Sequence, residues 1–161
     1  GNMESGFFEP LSVMFILSGG RPLDILEVRR TIEVEGAVLA AKRIDEEQKE
    51  ELKEIMDGLR NAKNEKESSE FDRKFHYMIA KCTDNYLIMN LFNVITSLMR
   101  DFIKDARWEI LQANKSQEFL VKQHQSICDA IIENDPEKSA LAMKEHIEYI
   151  YNVVEKMNSK W

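Results

Sequence analysis

The stretch from Gln123 to Ile150, QHQSICDAIIENDPEKSALAMKEHIEYI, decides how the rest of this 161-residue chain reads. Its apolar residues recur at helical spacing on both sides of Asn134-Asp135-Pro136. That breaker ends one helix and lets Pro136 open the next. His124 lies eleven residues before Asp135 and His146 eleven after it. In a helical hairpin closed by a tight turn, residues equidistant from the turn lie side by side, so the two imidazoles are expected to meet. Projected at about 100° per residue, His124 falls in the arc of Leu120, Ile127 and Ile131, and His146 beside Met143, Ile150 and Val153. A neutral imidazole among aliphatics needs a partner.

The chain holds one further histidine. His76 follows Asp72 by four residues in EFDRKFH, so on a helix the two share a face. Any one of these histidines, taken singly, reads as a packed or surface residue. An i,i+4 carboxylate combined with two mirror positions points instead to a metal site formed by Asp72, His76, His124 and His146. Three nitrogens and one carboxylate oxygen, without thiolate, suit Zn, Ni, Fe, Co or Mn over Ca or Mg. Four protein ligands in an octahedral field leave two positions, for water or for the oxygens of a small carboxylate. Such a centre serves either hydrolysis or ligand reception.

Working outward, the chain carries helix signals and no strand signals. The pattern predicts a short helix over Pro10 to Ser18, stopped by Gly19-Gly20, and a second from Leu23 to Arg43 with Pro22 in its first turn. Apolar residues on several faces (Ile25, Leu26, Val28, Ile32, Val34, Val38, Leu39) place that second helix centrally. Asp45 is expected to cap a third, Glu46 to Ala62. The polar stretch Asn61 to Ser69 reads as a linker before a fourth, Ser69 to Lys81. Thr83 or Asp84 would cap a fifth, Asn85 to Gln112, and Ser116 a sixth ending near Asn134. A seventh runs from Pro136 to about Met157. The expectation is a single all-α domain over 1–161, an antiparallel bundle of six or seven helices.

Composition bounds the function. A net charge of −7 disfavours a sequence-independent grip on nucleic acid phosphates. The run Val13 to Leu17 is too short for a membrane span, and no signal peptide is evident. Cys82 and Cys128 form no CxxC pair and fit a reducing cytosol. A cytoplasmic protein without membrane contact is expected.

At the histidines the chain resembles a known family. Leu26-Glu27-Val28-Arg29-Arg30-Thr31-Ile32-Glu33, the Ala-rich Ala37 to Ala41, Phe71-Asp72 with Phe75-His76, and Asp84-Asn85-Tyr86-Leu87 carry the likeness. So do His124 to Ile132, Asn134-Asp135, Ala140, Met143 and His146-Ile147. Together they resemble the C-terminal effector-binding (FCD) domain of GntR-family transcriptional regulators of the FadR subfamily, over roughly Pro10 to Met157. The resemblance implies a divalent metal on Asp72, His76, His124 and His146 that anchors a small organic acid or sugar acid, and a homodimer. Such regulators read DNA through an N-terminal winged helix-turn-helix, for which Met3 to Ser18 is too short. The chain is expected to be an excised domain or a stand-alone sensor.

Arg29 and Glu33 lie i,i+4. Their plain reading is a helical ion pair, worth about 0.3–0.5 kcal/mol at a surface. Their functional reading is effector binding, with Arg29 offering a fork to a carboxylate, and the resemblance favours it. The expected function is a metal-dependent sensing and dimerisation domain rather than an enzyme. The alternative is a small metallohydrolase using a metal-bound water, for which no general base beyond the ligands and Glu33 is evident. A ferritin-like di-iron bundle lacks its Glu-x-x-His pairs.

Overall fold

Four of the helices in this chain start where a side-chain oxygen, of Asp45, Asn64, Asn85 or Asp135, accepts a free backbone N–H group. The computed structural model describes residues 3–114 and 117–158, which form seven α-helices and no strand. They are α1 (Met3–Leu17), α2 (Pro22–Arg43), α3 (Glu46–Arg60), α4 (Glu65–Cys82), α5 (Tyr86–Asn114), α6 (Glu118–Ile132) and α7 (Pro136–Asn158). The all-α bundle expected from the sequence is the observed one.

Several boundaries differ from expectation for identifiable reasons. Pro10 lies inside α1 rather than opening it, since one missing backbone donor interrupts a helix without having to end it. The polar stretch Asn61 to Ser69 is mostly helix. Asn64 Oδ1 accepts the Glu67 N–H (2.9 Å), which starts α4 at Glu65. At α5 neither Thr83 nor Asp84 is the cap. Thr83 ends α4, Asp84 turns the chain with φ of 51°, and Asn85 Oδ1 accepts from the N–H groups of Leu87 and Ile88. Asp45 behaves as expected, in a reciprocal capping box with Gln48. Ser116, the expected cap of α6, lies outside the described residues.

The α6–α7 turn is pinned from both sides. Asn134, at φ 58°, takes the left-handed position after α6. Its N–H bonds the Ile131 carbonyl (3.0 Å), and the Asp135 N–H reaches Ala130 (3.1 Å), which together make a Schellman closure. Asp135 Oδ1 then accepts the Lys138 N–H (3.0 Å) to open α7 behind Pro136. Asn134 also donates through Nδ2 to the Ala41 carbonyl at the end of α2 (2.9 Å).

α2 is central, packing most extensively on α7 and also on α4, α5 and α6. Its centrality rests only in part on the residues expected: Ile25 and Leu26 are buried in the core. Val28 is half exposed, and Val34, Val38 and Leu39 are only partly buried. Beyond Ile25 and Leu26, α2 buries the small residues Gly36, Ala37, Ala40 and Ala41, which let neighbouring helices approach closely, together with Arg29 and Glu33. Two apolar clusters flank the middle of the bundle. Leu52, Met56, Phe75, Ile127, Ile131 and Met143 belong to one, and Leu26, Met99, Ile110, Leu120 and Val154 to the other. Along α6, His124 falls between Leu120 and Ile127. Along α7, His146 falls between Met143 and Ile150. The histidines therefore lie on the seam between the clusters. Among the described residues no helix is long and apolar enough to cross a membrane.

Candidate metal centre and its cavity

The three histidines converge. α4 supplies His76, α6 His124 and α7 His146, all essentially buried, with one ring nitrogen of each within 4.8 Å of the others. The His124 and His146 ring centroids stand 4.6 Å apart across the hairpin, as the mirror spacing about Asp135 predicts. Phe75 packs edge-on against His124 at 5.1 Å and closes one side.

Each imidazole has its Nδ1 committed to a protein oxygen. His124 Nδ1–H donates to the Leu120 carbonyl (2.6 Å), His146 Nδ1–H to Gln123 Oε1 (2.7 Å), and His76 Nδ1–H to the Glu33 carboxylate. Since these oxygens only accept, the tautomers follow, and in a neutral ring the Nε2 lone pair is left to face inward. His124 Nε2 then lies 2.8 Å from Asp72 Oδ1 and 3.3 Å from His76 Nε2, with His76 Nε2 3.2 Å from the same Asp72 oxygen. Lone pairs this close repel unless a proton or a cation lies among them. His146 Nε2 is buried with no hydrogen-bond partner among the described residues. A buried acceptor left unmatched costs on the order of 1–3 kcal/mol. A divalent metal fits this donor set on both counts. It satisfies the orphaned His146 Nε2, and it supplies the positive charge that the facing lone pairs require.

The electrostatics of the site agree. Burial works against the charged form of His76, but Glu33 and Asp72 outweigh it and push His76 up to about 9. Burial likewise opposes ionisation of Asp72 and Glu33. His124 and His76 nevertheless hold Asp72 well below the usual carboxylate range, and Arg29 with His76 brings Glu33 down to about 2. His146 goes the other way. Burial, reinforced by the neighbouring His124 and His76, keeps it neutral. Proton and metal thus compete for one point.

The second oxygen of Asp72 is held from α5. Arg107, buried, donates from Nη1 to Asp72 Oδ2, from Nε to Glu65 Oε1 (2.6 Å) and from Nη2 to Ser68 Oγ (2.8 Å). Arg107 and Gln123 were not singled out in the sequence. Gln123 carried a usable signal, because it is twelve residues before Asp135 and so lies next to the mirror position of His146. Arg107 carried none, since its reach depends on where α5 packs.

A cavity of about 990 Å³ opens beside the site between α4 and α5, lined by Asp72, His76 and His146 at its inner end. Arg29 also lines it. The ion pair expected of Arg29 and Glu33 forms as well, buried, with Arg29 Nε–H donating to Glu33 Oε2. Glu33 lies beneath His76, bridging it to Arg29, and is not on the wall of this cavity.

Residues 24–149 match the FCD domain family, and the chain belongs to it. Its relatives are regulators of the GntR type. The HTH-type transcriptional regulator YcbG of Bacillus subtilis (strain 168) is 28% identical over 142 residues, covering 88% of this chain and 58% of YcbG. LutR of the same organism, also an HTH-type transcriptional regulator, is 26% identical, covering 91% of this chain and 68% of LutR. The solved structure of Streptococcus agalactiae GntR superposes with a TM-score of 0.67 at 26% identity, over 81% of this chain and 58% of that one. The chain thus spans roughly three fifths of the length of such relatives.

Proposed function

We propose that this chain is the metal-dependent effector-sensing and dimerisation domain of a GntR-type transcriptional regulator, acting in the cytoplasm as one domain over 1–161. Asp72, His76, His124 and His146 hold a divalent transition metal, of the Zn, Ni, Mn or Fe group. A small organic acid or sugar acid binds from the cavity side, near Arg29. Its binding controls DNA contacts made by a winged-helix domain outside these residues. Glu33 supports the centre by fixing the His76 ring and the Arg29 guanidinium, rather than by touching the effector.

The observation that carries this reading is the buried His146 Nε2, without a partner among the described residues, beside two inward-facing Nε2 atoms and a carboxylate oxygen. A sensor fits better than a metallohydrolase. The acidic side chains nearest the histidines, Asp72 and Glu33, are both tied into ion pairs, and neither is free to act as a general base. A dimer accords with the apolar residues left on the surface, including Met14, Ile16 and Leu17 of α1 and Trp108 of α5.

Elemental analysis of untagged protein, followed by calorimetric titration of lactate, citrate, succinate and gluconate into metal-loaded and metal-stripped samples, tests the proposal. About one metal per chain and acid binding only to the loaded form are expected. A chain that takes up no Zn, Ni or Mn on reconstitution overturns it. Light scattering at tens of micromolar should give the dimer mass.

A further inference from the structure

The walls of the cavity reverse the charge of the protein. Acidic residues outnumber basic ones 29 to 22 over the whole chain. Around the cavity, seven cationic side chains face three carboxylates. Two of the seven, Arg29 and Arg107, lie deep and are paired, Arg29 with Glu33 and Arg107 with Asp72 and Glu65. That leaves Lys66, Arg73 and Lys74 on α4 and Arg100 and Lys104 on α5, all exposed, against Glu70 alone. None of these five makes an ion pair among the described residues. Lys74 instead sits over the Phe71 ring at 5.0 Å.

Their placement follows from helical spacing. Arg100, Lys104 and Arg107 stand at i, i+4 and i+7, on one face of α5. Arg107 reaches Asp72 at the inner end, so Arg100 stands two turns away, about 10 Å along the axis. Arg73 follows Asp72 directly on the opposing helix. Apolar wall is supplied between by Phe92, Ile103 and Ile110. A cleft with low-dielectric walls and cations of one sign concentrates anions, and guanidinium groups hold carboxylate or phosphate oxygens in a fork. At about 990 Å³ the cavity has far more room than a three-carbon monoacid fills.

We infer that the effector is a small polyanion: one anionic group goes to the histidine end of the cavity, and at least one more, carboxylate or phosphate, goes to the outer cations led by Arg73 and Arg100. This rests on the sensing role proposed above and names its ligand class. The metal end anchors the acid, and the rim separates polyanions from monoanions of the same backbone.

The experiment compares lactate with malate, which differ by one carboxylate, and adds citrate and 3-phosphoglycerate. Each is titrated into the metal-loaded chain, the metal-stripped chain and the metal-loaded Arg73→Gln/Arg100→Gln variant. Both arginines are exposed, and the melting curve of the variant reports that it is folded. Malate is expected to bind about tenfold or more tighter than lactate, the scale of one charge-assisted contact. That ratio should shrink as salt rises and fall to about one in the variant. Equal affinities for lactate and malate in the unsubstituted chain, or a ratio that survives both substitutions, overturn the inference. If malate keeps its advantage with and without metal, the rim stands and the metal anchor fails. If binding needs metal but the ratio is one, the anchor stands and the rim fails. If none of the four acids binds the loaded chain, both fall.

Discussion

His124 and His146 face each other across the α6–α7 hairpin with ring centroids 4.6 Å apart, and of the two His146 has an Nε2 without a partner among the described residues. His124 shares Asp72 Oδ1 with His76. The two imidazoles therefore differ in their surroundings, and an ion held by both would join them. The expected consequence lies in melting temperatures. A ligand present at a hundred times its dissociation constant stabilises the folded state by about 2.7 kcal/mol. His124→Ala and His146→Ala should each lose that increment, so that added Zn, Ni or Mn no longer raises the melting temperature. A metal-induced rise that persists in either variant would show that the ion sits elsewhere.

Glu33 bridges Arg29 and His76 within the interior. Glu33→Gln keeps the shape but removes the charge. Breaking a buried pair from one side costs about 3–5 kcal/mol, and loss of the group that orients a metal-binding imidazole costs about 10–100-fold in metal affinity. The variant should melt earlier without metal and bind metal more weakly, by calorimetry. Wild-type affinity in a folded Glu33→Gln chain would mean that Glu33 only stabilises the bundle.

The pH dependence has a definite sign. Glu33 is lowered from 4.5 to about 2 in the folded chain, because Arg29 and His76 outweigh the opposing effect of burial. Its contribution is fully present above 4.5 and is lost as pH falls toward about 2. His76 is raised from 6.5 to about 9, burial being outweighed by Glu33 and Asp72. Its contribution is present below 6.5 and is lost as pH rises through about 9. Denaturant midpoints of the metal-free protein should therefore fall on both flanks. With His76 as a proposed metal ligand raised above its ordinary value by Glu33 and Asp72, metal uptake at pH 7 is expected to displace its proton. Calorimetry in buffers of different ionisation enthalpy should then report about one proton released per ion.

Asn134 holds the left-handed turn residue and reaches the Ala41 carbonyl. Asn134→Ala should cost about 1–2 kcal/mol from the backbone conformation alone, and more from the unmatched carbonyl. Asn134→Gly should recover the first part and not the second. Urea unfolding of the two variants separates them, and equal losses would show that the turn conformation is not the determinant.

The α-class, the hairpin about Asn134-Asp135-Pro136 and the convergence of His124 with His146 were legible in the sequence, because each depends on residues near one another along the chain. Helical period, turn chemistry and an i,i+4 spacing are local quantities, and a tight turn carries them across to the neighbouring helix. Asp45 as a cap was legible for the same reason. Asn64 and Asn85 were available by that logic too, but competing polar residues nearby obscured which of them would cap.

Packing of distant elements decided the rest. Beside the expected Ile25 and Leu26, α2 buries Gly36, Ala37, Ala40 and Ala41, whose value is closeness of approach, which no pattern of large apolar residues records. Arg107 reaches Asp72 across 35 positions of chain, and Glu33 reaches His76 across 43. The cationic rim joins residues of α4 and α5 that share no motif. Side-chain type and spacing determined which groups could do chemistry here. Which nitrogen faces inward, which charge is already neutralised and which remains for a ligand depend on long-range neighbours, and only the tertiary structure supplies those.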